Sequence, residues 1–206
     1  MRSLDSLGTT YGDSLVHFIW YQSPEHPELS SQAGDVRSAR YNVGGVWPTA
    51  FFDGFYRAPQ ISDSFYEVYL GMVDQARSRS SILEMSLDTT TTGFDSTQLC
   101  IGVHITPTDS AVDGMGSLML VAVVYEDSVP YVSALNPEDT SYARFCARCV
   151  IGDTWGIPLA LHFGTDYDTV LTTPRGDWNR SRLGAAVFVQ DTSNLRVMQS
   201  VGKLRF

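Results

Sequence analysis

Two of the three cysteines in this 206-residue chain have the spacing of a chemical motif. Cys146 and Cys149 form Cys-x-x-Cys, which occurs in thiol–disulfide exchange sites and as half of a zinc site. A reactive thiol needs a helix N-terminus or positive charge nearby, but residues 150–152 continue a strand-like run. On a strand, positions i and i+3 lie about 10 Å apart, whereas a disulfide joins Cα atoms within roughly 7 Å. A zinc site of this type needs a second pair of ligands, and the sequence has no second cysteine pair. We therefore interpret Cys100, Cys146 and Cys149 as structural thiols.

The remaining chemistry-bearing residues form no recognisable motif. The four histidines are separated along the chain, without the spacing of a metal site: His17, His26, His104 and His162. No Gly-x-Ser-x-Gly segment is present, and Gly114-Met115-Gly116 lacks the lysine and helix of a phosphate-binding loop. The sequence thus predicts no catalytic residue, no metal and no cofactor.

Composition and charge exclude further classes of function. Hydrophobic residues make up 43% of the chain and charged residues 18%, as in globular proteins. The 14 basic and 23 acidic residues give a net charge of −9, and Lys203 is the one lysine, so a nucleic-acid partner is not expected. No apolar run reaches the ~20 residues of a membrane-spanning helix. Residues 1–12 do not have the pattern of a signal peptide.

Helix and strand patterns alternate over the first 80 residues. The apolar run Leu15–Tyr21 predicts a strand covered on both faces. A helix is predicted over residues 31–41, with Ser30 and Ser31 as N-cap candidates. A second is predicted over residues 62–79, with Ser64 as N-cap and an apolar stripe that begins at Phe65. Between them, residues 49–57 predict a hairpin around Asp53-Gly54.

Short β-rich runs separated by turn residues follow residue 81. They are residues 82–87, 99–106, 118–125, 144–151, 159–163, 169–172, 185–190 and 196–201. This pattern predicts a β-sandwich, in which strand alternation would turn Val121, Val123, Val187 and Val189 inward. The predicted domains are therefore residues 1–80 and 81–206.

The sequence resembles a known family in both halves. Residues 41–54, Tyr-Asn-Val-Gly-Gly-Val-Trp-Pro-Thr-Ala-Phe-Phe-Asp-Gly, resemble the proline loop and hairpin of thioredoxin-like folds, in which the proline is cis. Residues 123–131, Trp178 and residues 186–191 resemble a bacterial family named after a twenty-eight-kilodalton outer-membrane protein. That family joins a thioredoxin-like domain to an immunoglobulin-like one. The resemblance implies an α+β protein: a truncated thioredoxin-like α/β domain followed by an antiparallel immunoglobulin-like β-sandwich, in the bacterial envelope or outside the cell.

The same resemblance suggests a function through what this sequence lacks. Thioredoxin-like domains carry their redox Cys-x-x-Cys after the first strand, and neither that strand nor the motif occurs at the start of this chain. We therefore expect a non-catalytic, exported or envelope-associated binding protein. In the related fold, residues at the positions of Trp47, Pro48 and Thr49 bind an extended peptide through backbone hydrogen bonds. The alternative is a thiol–disulfide oxidoreductase whose N-terminal strand and redox motif lie outside this sequence.

A missing first strand also has a structural consequence. It would leave a slot in the sheet between residues 15–21 and 49–52, with unpaired backbone groups on both sides. Each buried, unpaired group costs about 1–3 kcal/mol. The resemblance therefore predicts a less stable first domain that self-associates through the open sheet, besides a protein or peptide partner.

Overall fold

The described residues of the N-terminal part form three α-helices, a 3-10 turn at Pro27–Leu29 and a small hairpin. The computed structural model describes residues 2–11, 19–20, 27–43, 49–58, 64–95, 97–132, 140–174, 176–203 and 206. The helices are α1 (Arg2–Tyr11), α2 (Gln32–Arg40) and α3 (Phe65–Arg77). The hairpin pairs β1 (Phe51–Phe52) with β2 (Tyr56–Arg57).

Side-chain caps fix the starts of α2 and α3, as the sequence predicts. The Ser31 hydroxyl accepts a hydrogen bond from the Gly34 amide at 3.3 Å, and the Ser64 hydroxyl accepts one from the Glu67 amide at 3.4 Å. Both caps satisfy an amide that the first helical turn leaves without a carbonyl partner. The two predicted helices are confirmed to within a few residues.

Ten strands follow among the described residues, and they are the main secondary structure of this part of the chain. They are β3 (Leu83–Phe94), β4 (Gln98–Pro107), β5 (Leu118–Glu126), β6 (Val129–Val132), β7 (Thr140–Ala143), β8 (Cys146–Val150), β9 (Ile157–Pro158), β10 (Tyr167–Pro174), β11 (Leu183–Asp191) and β12 (Val197–Lys203). One antiparallel sheet has the order β10-β4-β3, and a larger one has the order β12-β11-β5-β8, with β9 paired to β5. β6 and β7 form a separate hairpin. The run predicted as a strand at residues 159–163 is not one: β9 ends at Pro158, and the Leu159 amide adds a single further hydrogen bond to β5, to the Leu118 carbonyl at 2.9 Å.

The larger sheet is buried on both faces. One face shares a core with the β10-β4-β3 sheet, and this core contains Val187 and Val189. The opposite face contains Val121 and Val123, against which Trp20 packs. All four valines are buried, as predicted. In the register of β5 and β11, however, Val187 lies opposite Ala122 and Val123 lies opposite Ala186. Val187 and Val189 therefore face one side of the sheet, and Val121 and Val123 face the other. Val121 and Val123 are buried because Trp20, from the N-terminal part of the chain, packs against their face of the sheet.

The predicted fold class is wrong. The strands described before residue 83 are the two-residue β1 and β2, which pair antiparallel, and no parallel α/β sheet of the thioredoxin type occurs in the described part of the chain. The remainder consists of several antiparallel sheets rather than an immunoglobulin-like sandwich. What remains of the prediction is the coarse class, with helices near the N-terminus and antiparallel sheets after them.

The described end of the predicted Leu15–Tyr21 strand shows why the thioredoxin-like prediction fails. Ile19 forms a parallel bridge with Cys146: its amide donates to the Phe145 carbonyl at 2.8 Å, and its carbonyl accepts from the Ala147 amide at 2.9 Å. These backbone groups are satisfied by the edge of the large sheet. The open slot expected from a thioredoxin-like sheet does not occur, because the described residues form no such sheet. Self-association through another surface stays a prediction.

Candidate functional site

The predicted peptide-binding residues lie at the edge of the described structure. Trp47, Pro48 and the predicted cis bond between them fall outside the described residues. Thr49 is described: it is half-buried and lies two residues before β1. The structure around Thr49 is therefore the hairpin β1–β2 and the helix that packs against it.

Aromatic side chains cluster on this hairpin and on α3. The Tyr69 ring centroid lies 5.3 Å from that of Phe52 and 6.0 Å from that of Phe65. At the hairpin tip, the Phe55 and Tyr56 centroids are 5.2 Å apart with their rings nearly perpendicular. These are ordinary distances for favourable ring pairs. We call Phe52, Phe55, Tyr56, Phe65 and Tyr69 the aromatic surface.

Two members of the aromatic surface are exposed to solvent. Phe55 is 56% exposed and Phe65 is 37% exposed, whereas Tyr69 is half-buried, and burial raises the pKa of its hydroxyl. Phe65 starts the apolar stripe on α3 that the sequence predicts, but of that stripe Val73 alone is fully buried. The helix thus presents part of its apolar side to solvent.

Polar contacts at the hairpin turn hold the aromatic surface in place. Asp53 forms a salt bridge with Arg79, whose guanidinium lies 5.0 Å from the centre of the Tyr56 ring. The Asp53 carbonyl accepts a hydrogen bond from the Val197 amide at 2.8 Å, which ties the turn to β12. Desolvation raises the pKa of the Asp53 carboxyl, and the charges of Arg79 and Arg196 oppose that shift.

The turn itself depends on Gly54. Asp53 and Gly54 both have positive φ, of 49° and 67°, as the predicted Asp-Gly turn requires. A Cβ on Gly54 would lie 2.2 Å from the Leu195 carbonyl oxygen. Glycine therefore permits close contact between the hairpin and the β11–β12 turn, and this contact fixes the position of Phe55.

The three thiols show no arrangement for disulfide exchange. All are free; Cys146 is buried, and its Sγ donates to the Leu29 carbonyl at 3.2 Å. Cys149 packs against the main core, 3.9 Å from the Thr173 hydroxyl. Burial raises the pKa of Cys146 to about 11 and also raises the pKa of Cys149, so both thiols are neutral at physiological pH.

One histidine has partners that resemble a catalytic triad. His104 Nδ1 lies 2.7 Å from Asp168 Oδ1, and Nε2 lies 3.1 Å from the Thr106 hydroxyl. The Thr106 hydroxyl, however, donates to Asp166 Oδ1 at 2.8 Å. Its proton is therefore directed at a carboxylate and not at the imidazole that would act as base. A shallow cleft of about 300 Å³ adjoins this network, between Asp88 and Val170.

Metal binding and membrane spanning find no support in the described ranges. No group of three or more His, Cys, Asp or Glu side chains there could hold a metal ion. His162 lies 3.6 Å from Asp113 at the surface, and His17 and His26 fall outside the description. Among the helices described, none is both long and apolar enough to cross a bilayer.

Sequence reasoning missed the aromatic surface and the histidine network. The spacing of Phe65 and Tyr69, four residues apart, indicates a shared helix face but not that Phe65 stays exposed. Asp166 and Asp168, like His104 and Thr106, are two residues apart, so each pair points to one side of its strand. Only the register of β10 on β4, which sets Asp168 opposite His104, brings the two pairs together.

Comparison with known proteins gives a likeness at the level of fold. HBP35 of Porphyromonas gingivalis superimposes with a TM-score of 0.66 and 11% sequence identity, covering 88% of this chain and 58% of that one. The match is one of fold. A domain of the outer membrane lipoprotein Omp28 from Porphyromonas gingivalis gives a TM-score of 0.41 at 12% identity, covering 61% of this chain and 88% of that one. That score is too low to support an argument about this chain.

Sequence comparisons identify no relatives. No family model matches the chain, and no curated protein matches it. The chain corresponds to less than two thirds of the HBP35 chain, namely the 58% that the superposition covers. Activity and partners of a whole protein of that kind are therefore matters for proposal.

Proposed function

We propose that this chain is a non-catalytic binding module of an envelope-associated bacterial protein, and that it binds an extended peptide segment of a partner protein. The binding site is the aromatic surface together with Trp47, Pro48 and Thr49, which precede β1 in the sequence. The exposure of Phe55 and Phe65 on a hairpin and helix that other contacts hold in place is the observation that carries this proposal.

Exposed aromatic rings on a fixed support suit peptide binding energetically. Burying a phenylalanine side chain that was exposed is worth roughly 1.5–3 kcal/mol. Aromatic residues are enriched at the centres of protein interfaces for this reason. The Asp53–Arg79 salt bridge and the hydrogen bond from Val197 already order the hairpin. The entropic cost of ordering it on binding is therefore small.

The non-catalytic part of the proposal rests on the thiols and the histidine network. Cys146 is buried and Cys149 is half-buried, each against a different cluster, and both are neutral, as expected of structural thiols. Thr106 directs its proton to Asp166 and thus lacks the base that a nucleophile requires. The envelope location is a prediction from the sequence resemblance alone.

Selection of peptides from a random library tests the binding site directly. The affinity of the peptides selected on the wild-type chain is then measured for three variants, Phe55→Ser, Phe65→Ser and Phe163→Ser. Phe163 is a matched control, because it is 54% exposed but lies at residues 162–165, outside the aromatic surface. We expect at least about tenfold weaker binding for the first two variants, equal to about 1.4 kcal/mol, and no change for the third.

Two outcomes would contradict the proposal. Selected peptides that bind all three variants equally would remove the aromatic surface as the site, and a library that yields no binder would remove peptide binding. The non-catalytic part has its own assay, insulin reduction, in which the wild-type chain should not exceed a variant with all three cysteines replaced by serine. Turnover above that control would overturn it.

A further inference from the structure

Arg37 is a buried cation without a counter-charge. The side chain, on α2, is 1% exposed, and its Nε donates to the Thr154 carbonyl at 3.0 Å. Its Nη2 is closed off from solvent and has no hydrogen-bond partner. No carboxylate forms a salt bridge with Arg37 in the part of the chain that the structure describes. A buried guanidinium with a free N–H group is costly, so this group requires an explanation.

The ionisable groups near Arg37 do not neutralise its charge. Burial lowers the pKa of Arg37, and the positive charge of Arg40 lowers it further, whereas the Tyr41 hydroxyl raises it by electrostatic attraction and hydrogen bonding. The Tyr41 hydroxyl already accepts a hydrogen bond from the Gln190 amide at 2.8 Å. The protein itself thus supplies Arg40 as a second positive charge and no negative one.

A single indole ring contacts both guanidinium groups. The Cζ atoms of Arg37 and Arg40 lie 5.9 Å and 4.7 Å from the centre of the Trp155 ring. Arg40 is anchored by a hydrogen bond from its Nη2 to the Thr192 carbonyl at 2.6 Å. Two like charges three residues apart on a helix destabilise it, unless an anion binds near both. Guanidinium groups and an aromatic wall are also the usual elements of an oxyanion site.

We propose that Arg37, Arg40 and Trp155 form a binding site for a small oxyanion, such as inorganic phosphate or a carboxylate, whose oxygen atoms accept the free N–H bonds of Arg37. The anion supplies the charge that the buried guanidinium lacks. Trp155 is half-buried in the turn between Gly152 and Gly156, both with positive φ (84° and 98°). Because the indole lies against both guanidinium groups, we expect the anion to enter by displacing it.

Tryptophan emission reports whether an anion displaces the indole of Trp155. Sodium phosphate, sodium acetate and sodium chloride are titrated in the millimolar range at constant ionic strength, while tryptophan emission and the thermal midpoint of the full chain are recorded. We expect a saturable change in emission and a saturable rise of the midpoint with phosphate or acetate. Trp155→Phe should lose the emission change and keep the rise of the midpoint. Constant ionic strength and low concentration separate binding from general salt effects.

Substitutions assign the site. Arg37→Met should weaken the apparent affinity at least tenfold, and Arg40→Gln should weaken it less, because of these two arginines Arg37 is the one with a buried nitrogen that has no hydrogen-bond partner. If Arg37→Met does not fold, the wild-type and Trp155→Phe titrations still decide. No saturable change in wild type overturns the proposal, as does an equal response in Arg37→Met. Saturation by chloride but not by phosphate or acetate overturns the oxyanion class.

Discussion

His104 and Asp168 face each other across β4 and β10, with 2.7 Å between Nδ1 and Oδ1. Counting hydrogens in this network shows which form of His104 it requires. Because the Thr106 hydroxyl donates to Asp166, the contact between that hydroxyl and Nε2 is a hydrogen bond only if Nε2 donates. Nδ1 must likewise donate to the Asp168 carboxylate. The complete network therefore requires the doubly protonated imidazolium.

The first prediction concerns the pH dependence of this network. The hydrogen bond to Asp168 raises the pKa of His104 above its ordinary value of 6.5. A raised pKa means that the folded state holds the proton more tightly, so the stabilisation is complete below about pH 6.5 and is lost as pH rises through the raised pKa. Replacing Asp168 by Asn should lower the pKa of His104, as measured by NMR titration of the imidazole, and flatten the stability profile in that window.

A matched substitution provides the control for that titration. Asp113 lies 3.6 Å from His162 and is not part of the His104 network, so Asp113→Asn should leave the pKa of His104 unchanged. An unaltered His104 pKa in Asp168→Asn would mean that the 2.7 Å contact does not hold the proton.

The second prediction concerns Gly54 at the hairpin tip. Alanine there would adopt an unfavourable positive φ and place its Cβ 2.2 Å from the Leu195 carbonyl oxygen. We expect Gly54→Ala to reduce the free energy of unfolding by about 2–4 kcal/mol, measured by urea denaturation. Gly71→Ala is the control: a Cβ on Gly71 meets nothing within 4 Å in the middle of α3 and should stabilise the chain by about 0.5–1 kcal/mol. Equal effects of the two substitutions would contradict the account of the turn.

Local signals in the sequence predicted helices, caps and most strands of this fold. The Ser31 and Ser64 caps, the Asp53-Gly54 turn and the strand regions around β4, β5 and β11 all follow from residue type and spacing. Interactions of this kind reach only a few residues along the chain, so their signature is visible without knowledge of the tertiary structure.

The sequence did not predict how distant elements pair. An apolar run such as Leu15–Tyr21 is consistent with any buried sheet, and Ile19 pairs with Cys146, more than a hundred residues away. Strand alternation placed Val121 and Val187 in one core, because it could not reveal that the sheet is buried on both faces. Arg37 was missed for the same reason: arginine on a helix usually lies at the surface, and only α2 packing on the large sheet buries it.

The third prediction concerns thiol reactivity. Thiolate is the reactive form, and a pKa of about 11 leaves Cys146 almost wholly protonated at pH 8. In the folded chain, Cys146 and Cys149 should react with iodoacetamide far more slowly than they do in urea, as quantified by mass spectrometry of labelled peptides. Rapid labelling of Cys146 in the native chain would contradict its burial against Leu29 and would reopen the redox interpretation of Cys-x-x-Cys.

The last prediction concerns the buried ion pair of Glu126 and Arg148. Arg148 donates from Nε and Nη2 to Glu126 Oε2, at 2.9 Å and 2.6 Å, and from Nη1 to the Glu28 carbonyl at 2.5 Å. Glu126 Oε1 also accepts from the Asn179 amide at 3.1 Å. The pair therefore joins β5 and β8 to the segment before α2 and to the loop before β11.

Removing one partner should be more harmful than removing both. Arg148→Met leaves the Glu126 carboxylate buried without a counter-charge, and Glu126→Leu leaves the Arg148 guanidinium buried without one. Each substitution should reduce the free energy of unfolding by about 3–5 kcal/mol. The double variant Glu126→Leu/Arg148→Met buries no charge and should lose less than the sum of the two. Urea denaturation of the four proteins gives the coupling energy directly. Additive effects would show that the two charges do not compensate each other, and that the contacts to Glu28 and Asn179 dominate instead.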